Sequence, residues 1–415
     1  MEYKKALDYI NSDDKRGHTG SLDNISRLLD ALGNPHNKLK FVHVTGTNGK
    51  GSTSNFIAAI LKESGYNVGL FTSPHILQIN ERIKLNQQEI TNNDFGKYME
   101  IVKEAIDKLD FIPTYFEILV ALGLVYFADK NADIVVLEVG IGGAKDPTNI
   151  VKNTMVSVIT PIGLDHKDRL GNTVEEVAFE KSGIIKENSK VISYNNVESV
   201  NKIFSDKAME KNSPITFFDP SNVDIIYSDL SGSRFKYEDI TYDLNMLGEH
   251  QIYNAVMAII TVKALGFESD QKAVYNALKN ATWLGRMTVV SKNPTFIIDG
   301  AHNEHGFAAL LKNLKSLNKP SIILGLGIMK DKEIGINLEQ LTKLAKIVLF
   351  IKSEYERAMP EEELSDLFSD IKFKTFSNIS ESIDYALEIS DKDDVIIFTG
   401  SLYVAGELIS IFKNK

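Results

Sequence analysis

The sequence predicts an α/β protein made of two successive, mainly parallel sheets. Three observations carry this. Short β-branched apolar runs alternate with longer amphipathic segments, the pattern of strands joined by crossover helices. At 415 residues the chain is long enough for two domains. The reactive-looking polar residues follow directly after the apolar runs, where open parallel sheets bind ligands.

In the first part the clearest strands are Phe41–Thr45, Val68–Phe71, Ile134–Leu137 and Val156–Thr160, with weaker runs at Lys190–Ser193 and Ile215–Phe218. The stretch from Ile225 to Leu247 reads as short antiparallel strands around turns. "GEHQIYNAVMAIITVKALG" reads as a helix ended by Gly266, and "SDQKAVYNALKNA" as another with Ser269 as its N-cap. A second α/β series begins near Thr288, with strands at Phe296–Ile298, Ser321–Leu324, Ile347–Ile351 and Val395–Phe398. The joint falls between Arg286 and Pro294, which predicts domains of residues 1–287 and 288–415. Two sheets, each with a loaded edge, predict a cleft between two domains.

Composition narrows the function classes. The chain is 43% hydrophobic and 25% charged, as in ordinary globular proteins. No apolar run approaches the roughly 18 residues that span a bilayer, and the N-terminus has no secretory h-region. There is no cysteine, which excludes disulfides, thiolate nucleophiles and Cys-ligated metals. A net charge of −10 argues against nucleic acid and anionic membranes as partners. The cytoplasm is the expected location, and small anionic substrates stay open as ligands.

The most informative segment is "HVTGTNGKGST", an apolar strand running through a glycine-rich loop with one lysine into a helix. Glycines let backbone N–H groups converge on phosphate oxygens, and a helix N-terminus adds partial positive charge. The alternative is a plain strand–helix turn, since Val44 stands where the commonest phosphate loop has glycine, and Gly51 follows Lys50. In the phosphate reading Lys50 reaches the terminal phosphates, and Ser52 or Thr53 the metal. Glu138 ends a buried-looking strand, where a carboxylate needs an ion pair or a metal; Mg²⁺, which favours carboxylate and phosphate oxygens, suits it, with Ser73 and His166 as co-ligands. Lys181, in "FEKSGIIK", sits on or near a helix start and alone reads as a surface lysine. Asp299 and His302 follow an apolar strand in "DGAHN". Arg286, in "TWLGR", is placed to bridge to a phosphate or to form an interdomain salt bridge.

TGTNGKGST, FTSPH, EVGIGG…DPTN, DHKDRLG, EKSGIIK, GEHQIYNA, WLGR, DGAHN and GSLY occur in one order from about Thr45 to Glu407. The set resembles folylpolyglutamate synthase and dihydrofolate synthase, a branch of the Mur ligase superfamily. The resemblance implies a P-loop, Mur-ligase-type ATPase domain and a smaller C-terminal Rossmann-like domain. It implies that ATP phosphorylates a folate or dihydropteroate carboxylate and that L-glutamate displaces the phosphate from the acyl phosphate. It further implies that Gly46, Thr47, Asn48, Gly49, Lys50, Gly51 and Ser52 hold the ATP phosphates, with Asn254, Arg286 and Asp299 as further nucleotide contacts. Ser73, Glu138 and His166 would ligate two Mg²⁺ ions, and Lys181 matches a lysine that is carbamylated in many members. Arg82, His302 and Ser401 match positions expected to bind glutamate, which gives Lys50, Lys181 and His302 the catalytic roles. Thr114, Phe116 and Asp146 lie where the pterin end would sit, with Phe116 stacking and Asp146 pairing with the amino-pyrimidine edge. K⁺ joins Mg²⁺ as a candidate cation.

Three motifs depart from the family's forms. Gly-Gly-Arg-Leu-Asp-Ala-Thr-Asn is replaced by Gly142-Gly143-Ala144-Lys145-Asp146-Pro147-Thr148-Asn149, Trp-Pro-Gly-Arg-x-Glu by Trp283-Leu284-Gly285-Arg286-Met287-Thr288, and Glu304 replaces the proline after DGAHN. The first group surrounds Asp146, so dihydropteroate and folate both stay open as acceptors. Two rivals stand beside this reading. A Mur-type peptide ligase would carry an additional UDP-binding domain ahead of the loop. A non-ligating regulatory ATPase would not need Arg82, His302 and Ser401.

Overall fold

The computed structural model describes residues 1–12, 21–317, 321–332, 334–368 and 370–414. The chain forms two compact units: residues 1–223 with 253–279, and residues 224–252 with 280–415. The division differs from a single cut at 287/288. Residues 224–252 and 280–287 go with the second unit, and the chain returns to the first to add residues 253–279.

The first unit carries an eight-stranded sheet built from β1 (Phe41–Thr45), β2 (Val68–Phe71), β3 (Ile83–Leu85), β4 (Gln88–Glu89), β5 (Ile134–Glu138), β6 (Thr154–Ile159), β7 (Lys190–Tyr194) and β8 (Ile215–Phe218). Their order is β4-β3-β2-β5-β1-β6-β7-β8. From β2 to β8 every pair is parallel. The four strands β1, β2, β5 and β6 are almost wholly buried, which is why they read as continuous apolar runs rather than as alternation. Helices 50–63 and 115–129 pack on this sheet, the latter through Ile118, Leu119 and Leu122 against Phe71 and Leu137. The chain runs from β1 outward to β2, comes back to β5, and crosses to β6 on the other side of β1. That reversal is a topological switch point beside β1, the usual place for a ligand in an open α/β sheet.

The edge hairpin β3–β4 is absent from the sequence reading. It turns on Asn86 and Gln87, both with positive φ (52° and 66°), so the two-residue turn is left-handed without a glycine to announce it. Two local expectations are also corrected. The helix Gln271–Asn280 is capped by Asp270, whose Oδ1 accepts from Ala273 N at 2.6 Å, and not by Ser269. Lys181 lies in the last turn of helix Val174–Ser182, not near its start, because the capping box of Thr173 and Glu176 begins that helix.

In the second unit, β9 (Asp224–Asp229), β10 (Gly232–Tyr237) and β11 (Ile240–Leu244) form an antiparallel sheet, as expected for 225–247. A six-stranded sheet follows: β12 (Thr288–Lys292), β13 (Thr295–Ile298), β14 (Ile322–Leu326), β15 (Ile347–Ile351), β16 (Phe373–Phe376) and β17 (Val395–Thr399), in the order β12-β13-β17-β14-β15-β16. Only β12 is antiparallel to its neighbour among these strands. Ile297, Leu324, Phe350 and Ile397 form the centre of its core.

Candidate active site

The glycine-rich loop leaves β1 at the switch point. Gly46 (φ 146°) and Gly49 (φ 85°) take conformations that side chains disfavour. A β-carbon on Gly46 would overlap the side chain of Thr160, and one on Gly49 would lie 2.5 Å from Asn254 Oδ1, so the loop closes against the residue that follows β6 on one side and Asn254 on the other. Thr160 Oγ1 donates to Asn48 O (2.7 Å), and Thr47 Oγ1 donates to Gly163 O (2.8 Å). Helix Lys50–Glu63 starts immediately, so its first-turn N–H groups and the loop amides share one end of the sheet. Within that turn Thr53 Oγ1 is buried with no hydrogen-bond partner, an acceptor and donor in reserve.

Two lysines meet at one carbonyl. Lys50 Nζ donates to Gly46 O (3.0 Å) and Thr47 O (3.2 Å), and Lys181 Nζ donates to Gly46 O (2.8 Å). Lys181 is buried, not a surface lysine. Burial, and then the Lys50 charge, push its amine down to about 7. Its position is tightly set: Ala144 N donates to Glu180 O (2.9 Å), and a β-carbon on Gly143 would lie 2.9 Å from Lys181 Cα.

Glu138 ends β5, directly between the ends of β2 and β1, and is 3% exposed. Its Oε2 accepts from Ser73 N at 3.0 Å, so Ser73 and Glu138 come together. His166 opens the short helix Lys167–Leu170 with φ 50°, and its backbone N–H is held by Asp165 Oδ1 at 2.9 Å. Among the described residues no three His, Cys, Asp or Glu side chains gather into a ready metal site. The oxygen donors of Glu138, Ser73 and the unpartnered Thr53 hydroxyl fit Mg²⁺, which completes its shell with water and phosphate.

A second cluster lies along helix Tyr115–Asp129. Thr114 caps that helix in a reciprocal box with Glu117, whose Oε2 accepts from Thr114 N (2.7 Å) and Oγ1 (2.9 Å). Phe116 meets Phe71 edge-on, centroids 6.0 Å apart. A β-carbon on Gly140 would lie 2.7 Å from Phe116 Cζ and 3.1 Å from Asp146 Oδ2, so Gly140 lets the ring and the carboxyl approach the same point. Asp146 is buried, which raises its pKa; Thr148 N and Oγ1 donate to its Oδ1, and Ile141 N to its Oδ2. Arg82 Nε donates to His75 Nδ1 (2.8 Å), and the guanidinium lies over the Tyr115 ring. Burial and the Arg82 charge push His75 down to about 4, which keeps it neutral and able to accept.

In the second unit Asp299 ties two motifs together. Its Oδ1 accepts from Ala301 N (2.8 Å) and its Oδ2 from Met287 N (2.9 Å), and Gly300 N donates to Gly285 O (2.8 Å). The WLGR turn that carries half-buried Arg286 is thereby fixed to the DGAHN loop. His302 Nδ1 donates to Gly300 O (2.9 Å), which sets its tautomer. Ser401 Oγ, buried, accepts from Tyr403 N (3.1 Å) at the start of the last helix. Arg82 belongs to the first unit, and His302 and Ser401 to the second. The sequence reading missed Thr160, His75, Thr148 and His43. For His43 a signal was present: one imidazole inside an otherwise apolar run.

Comparison with known proteins gives the family. Residues 44–262 match the Mur ligase middle domain, and residues 285–402 match the Mur ligase glutamate ligase domain. A folylpolyglutamate synthase of Lacticaseibacillus casei is 34% identical, covering 98% of this chain and 97% of the relative. A dihydrofolate synthase/folylpolyglutamate synthase of Bacillus subtilis is 33% identical, covering 98% of each chain. An FPGS–AMPPCP–folate complex superposes with a TM-score of 0.87 at 31% identity, covering 99% of both chains. The chain belongs to the folylpolyglutamate synthase/dihydrofolate synthase family of the Mur ligases.

Proposed function

We propose that this enzyme joins L-glutamate to a folate or dihydropteroate carboxylate at the expense of ATP, through an acyl phosphate. The observation that carries it is the convergence of the phosphate loop, Lys50, Lys181, Ser73 and Glu138 at one end of one sheet. A carboxylate is a poor electrophile until one oxygen becomes phosphate, and phosphoryl transfer depends on positioning and charge neutralisation.

In this reading the loop 46–52 and Lys50 hold the ATP phosphates, with Asn254 beside the loop, and Arg286 and Asp299 are further nucleotide-binding residues. Lys50 turns from Gly46 O to the phosphates. Ser73, Glu138 and His166 would hold two Mg²⁺ ions, which would neutralise charge on the phosphates, and K⁺ would be the monovalent cation. With its amine pushed down to about 7, Lys181 is in part neutral at pH 7, and in that form it adds CO₂, losing a proton and becoming a carbamate. Phe116, Thr114 and Asp146 receive the pterin end of the acceptor. Arg82, His302 and Ser401 hold the incoming glutamate, whose amine attacks the acyl phosphate and releases phosphate. We place the enzyme in the cytoplasm as a monomer, in keeping with its net charge of −10 and its lack of cysteine.

The test is ADP release by the purified enzyme with Mg-ATP and L-glutamate, given dihydropteroate or tetrahydrofolate. Turnover with dihydropteroate identifies a dihydrofolate synthase, bifunctional if tetrahydrofolate also works. Turnover with tetrahydrofolate alone identifies a dedicated polyglutamate synthase and ties the changes around Asp146 to loss of pteroate binding. No turnover with either would sink the proposal.

A further inference from the structure

The third residue of β1 has no place in the chemistry described so far. His43 is fully buried in a strand that otherwise contains Phe41, Val42, Val44 and Thr45. Along a strand alternate side chains share a face, so Phe41, His43 and Thr45 point the same way. Both polar members of that face grip the loop after β5. Thr45 Oγ1 donates to Gly142 O at 2.7 Å, and His43 Nε2 lies 2.9 Å from Thr148 Oγ1. Thr148 Oγ1 in turn lies 2.5 Å from Asp146 Oδ1.

The proton positions follow from the partners. Each Asp146 oxygen faces a backbone N–H, Oδ1 that of Thr148 and Oδ2 that of Ile141, which is the setting of an acceptor. The single Thr148 hydroxyl proton is therefore donated to Asp146. Thr148 Oγ1 is left to accept, and His43 must donate through Nε2–H. His43 Nδ1 then carries a lone pair, and it is buried with no partner. Burial pushes His43 down to about 3, so the ring stays neutral across the working pH range. An orphaned ring nitrogen is a penalty that an apolar residue would avoid, and the bond to Thr148 is what offsets it.

We propose that His43 is a positioning residue for the acceptor: through Thr148 it fixes the orientation of the Asp146 carboxylate beside Phe116. This rests on the reading of Asp146 as the group that meets the pterin end. The relay also anchors that carboxylate to the strand that continues into the phosphate loop, so the acceptor wall and the loop share one rigid support.

The test is steady-state kinetics of the full-length enzyme, with dihydropteroate and tetrahydrofolate each tried as acceptor, on His43→Leu, His43→Gln and Asp146→Ala. The glutamine places an N–H where Nε2 stands. His43→Leu should raise the acceptor KM roughly five- to tenfold, the size of losing one orienting hydrogen bond, with the KM values for ATP and glutamate unchanged. His43→Gln should bring the acceptor KM back to within about twofold of wild type, since the donor is restored. Thr148→Val cuts the same relay with little change of shape, and it decides the matter should His43→Leu fold poorly. An acceptor KM that rises in Asp146→Ala but stays at the wild-type value in His43→Leu and Thr148→Val would overturn the relay and leave the role of Asp146 standing. An unchanged acceptor KM in Asp146→Ala as well would remove the reading of Asp146, and the inference with it.

Discussion

At the scale of single residues, the decisive feature is the Gly46 carbonyl, which two lysines share. Each depends on the other. Lys50 is the second cause, after burial, of the low pKa of Lys181, so the amine is neutral above about 7 and an ammonium below it. Lys50→Ala should therefore have two effects. Removing charge neutralisation at the phosphates should lower kcat on the order of 100- to 1000-fold. Removing a neighbouring cation should also move the Lys181 titration upward from about 7, read by NMR of the labelled lysine amine. Retention of most of the wild-type rate would dismiss the loop assignment. None of this pairing was legible in the sequence. Gly46 and Lys181 are far apart along the chain, and the motif "FEKSGIIK" by itself has no sign of burial.

At the scale of elements, the central strands were legible because burial on both faces leaves no alternation to interpret: β1, β2 and β15 match their apolar runs end to end. The short edge strands were not. β3 and β4 hold too few residues for a period, and β16 has exposed, intermediate and buried residues in "FKTF". Helix starts were misplaced where the cap was not weighed against its neighbours. Thr173 and Glu176 spell a capping box three residues apart, which places Lys181 at the helix end. At 269–270 two cap-forming residues stand side by side, and only the geometry selects Asp270. Asp270→Ala should accordingly cost about 1 kcal/mol of stability, while Ser269→Ala should stay within about 0.5 kcal/mol of wild type. Urea midpoints of the two variants provide the check, and equal losses would contradict the assignment of the cap.

At the scale of the whole molecule, the sequence revealed two α/β series but not their interleaving. Strand and helix periodicities are local, whereas membership of a unit is decided by which core a segment joins. Leu230, Leu247 and Met287 lie before the expected boundary and pack with the core of Ile297, Leu324 and Phe350. A fragment of residues 288–415 lacks all three. It should expose apolar surface, bind a hydrophobic dye and lose a cooperative thermal transition. In the intact chain, which keeps residues 253–279 on the first unit, Leu247→Ala should cost about 2–5 kcal/mol of stability; a loss below about 0.5 kcal/mol would show that this segment adds nothing to that core.

The interleaving also has a consequence for how the chain is born. Synthesis runs from the N-terminus, so the ribosome must deliver residues 224–252, which belong to the second unit, before residues 253–279 of the first. Asn254, the neighbour of Gly49, therefore emerges only after more than half of the polypeptide has been made. Until then the nascent chain has its phosphate loop without the side chain that lies against it, and the first unit cannot be finished before the second has been started.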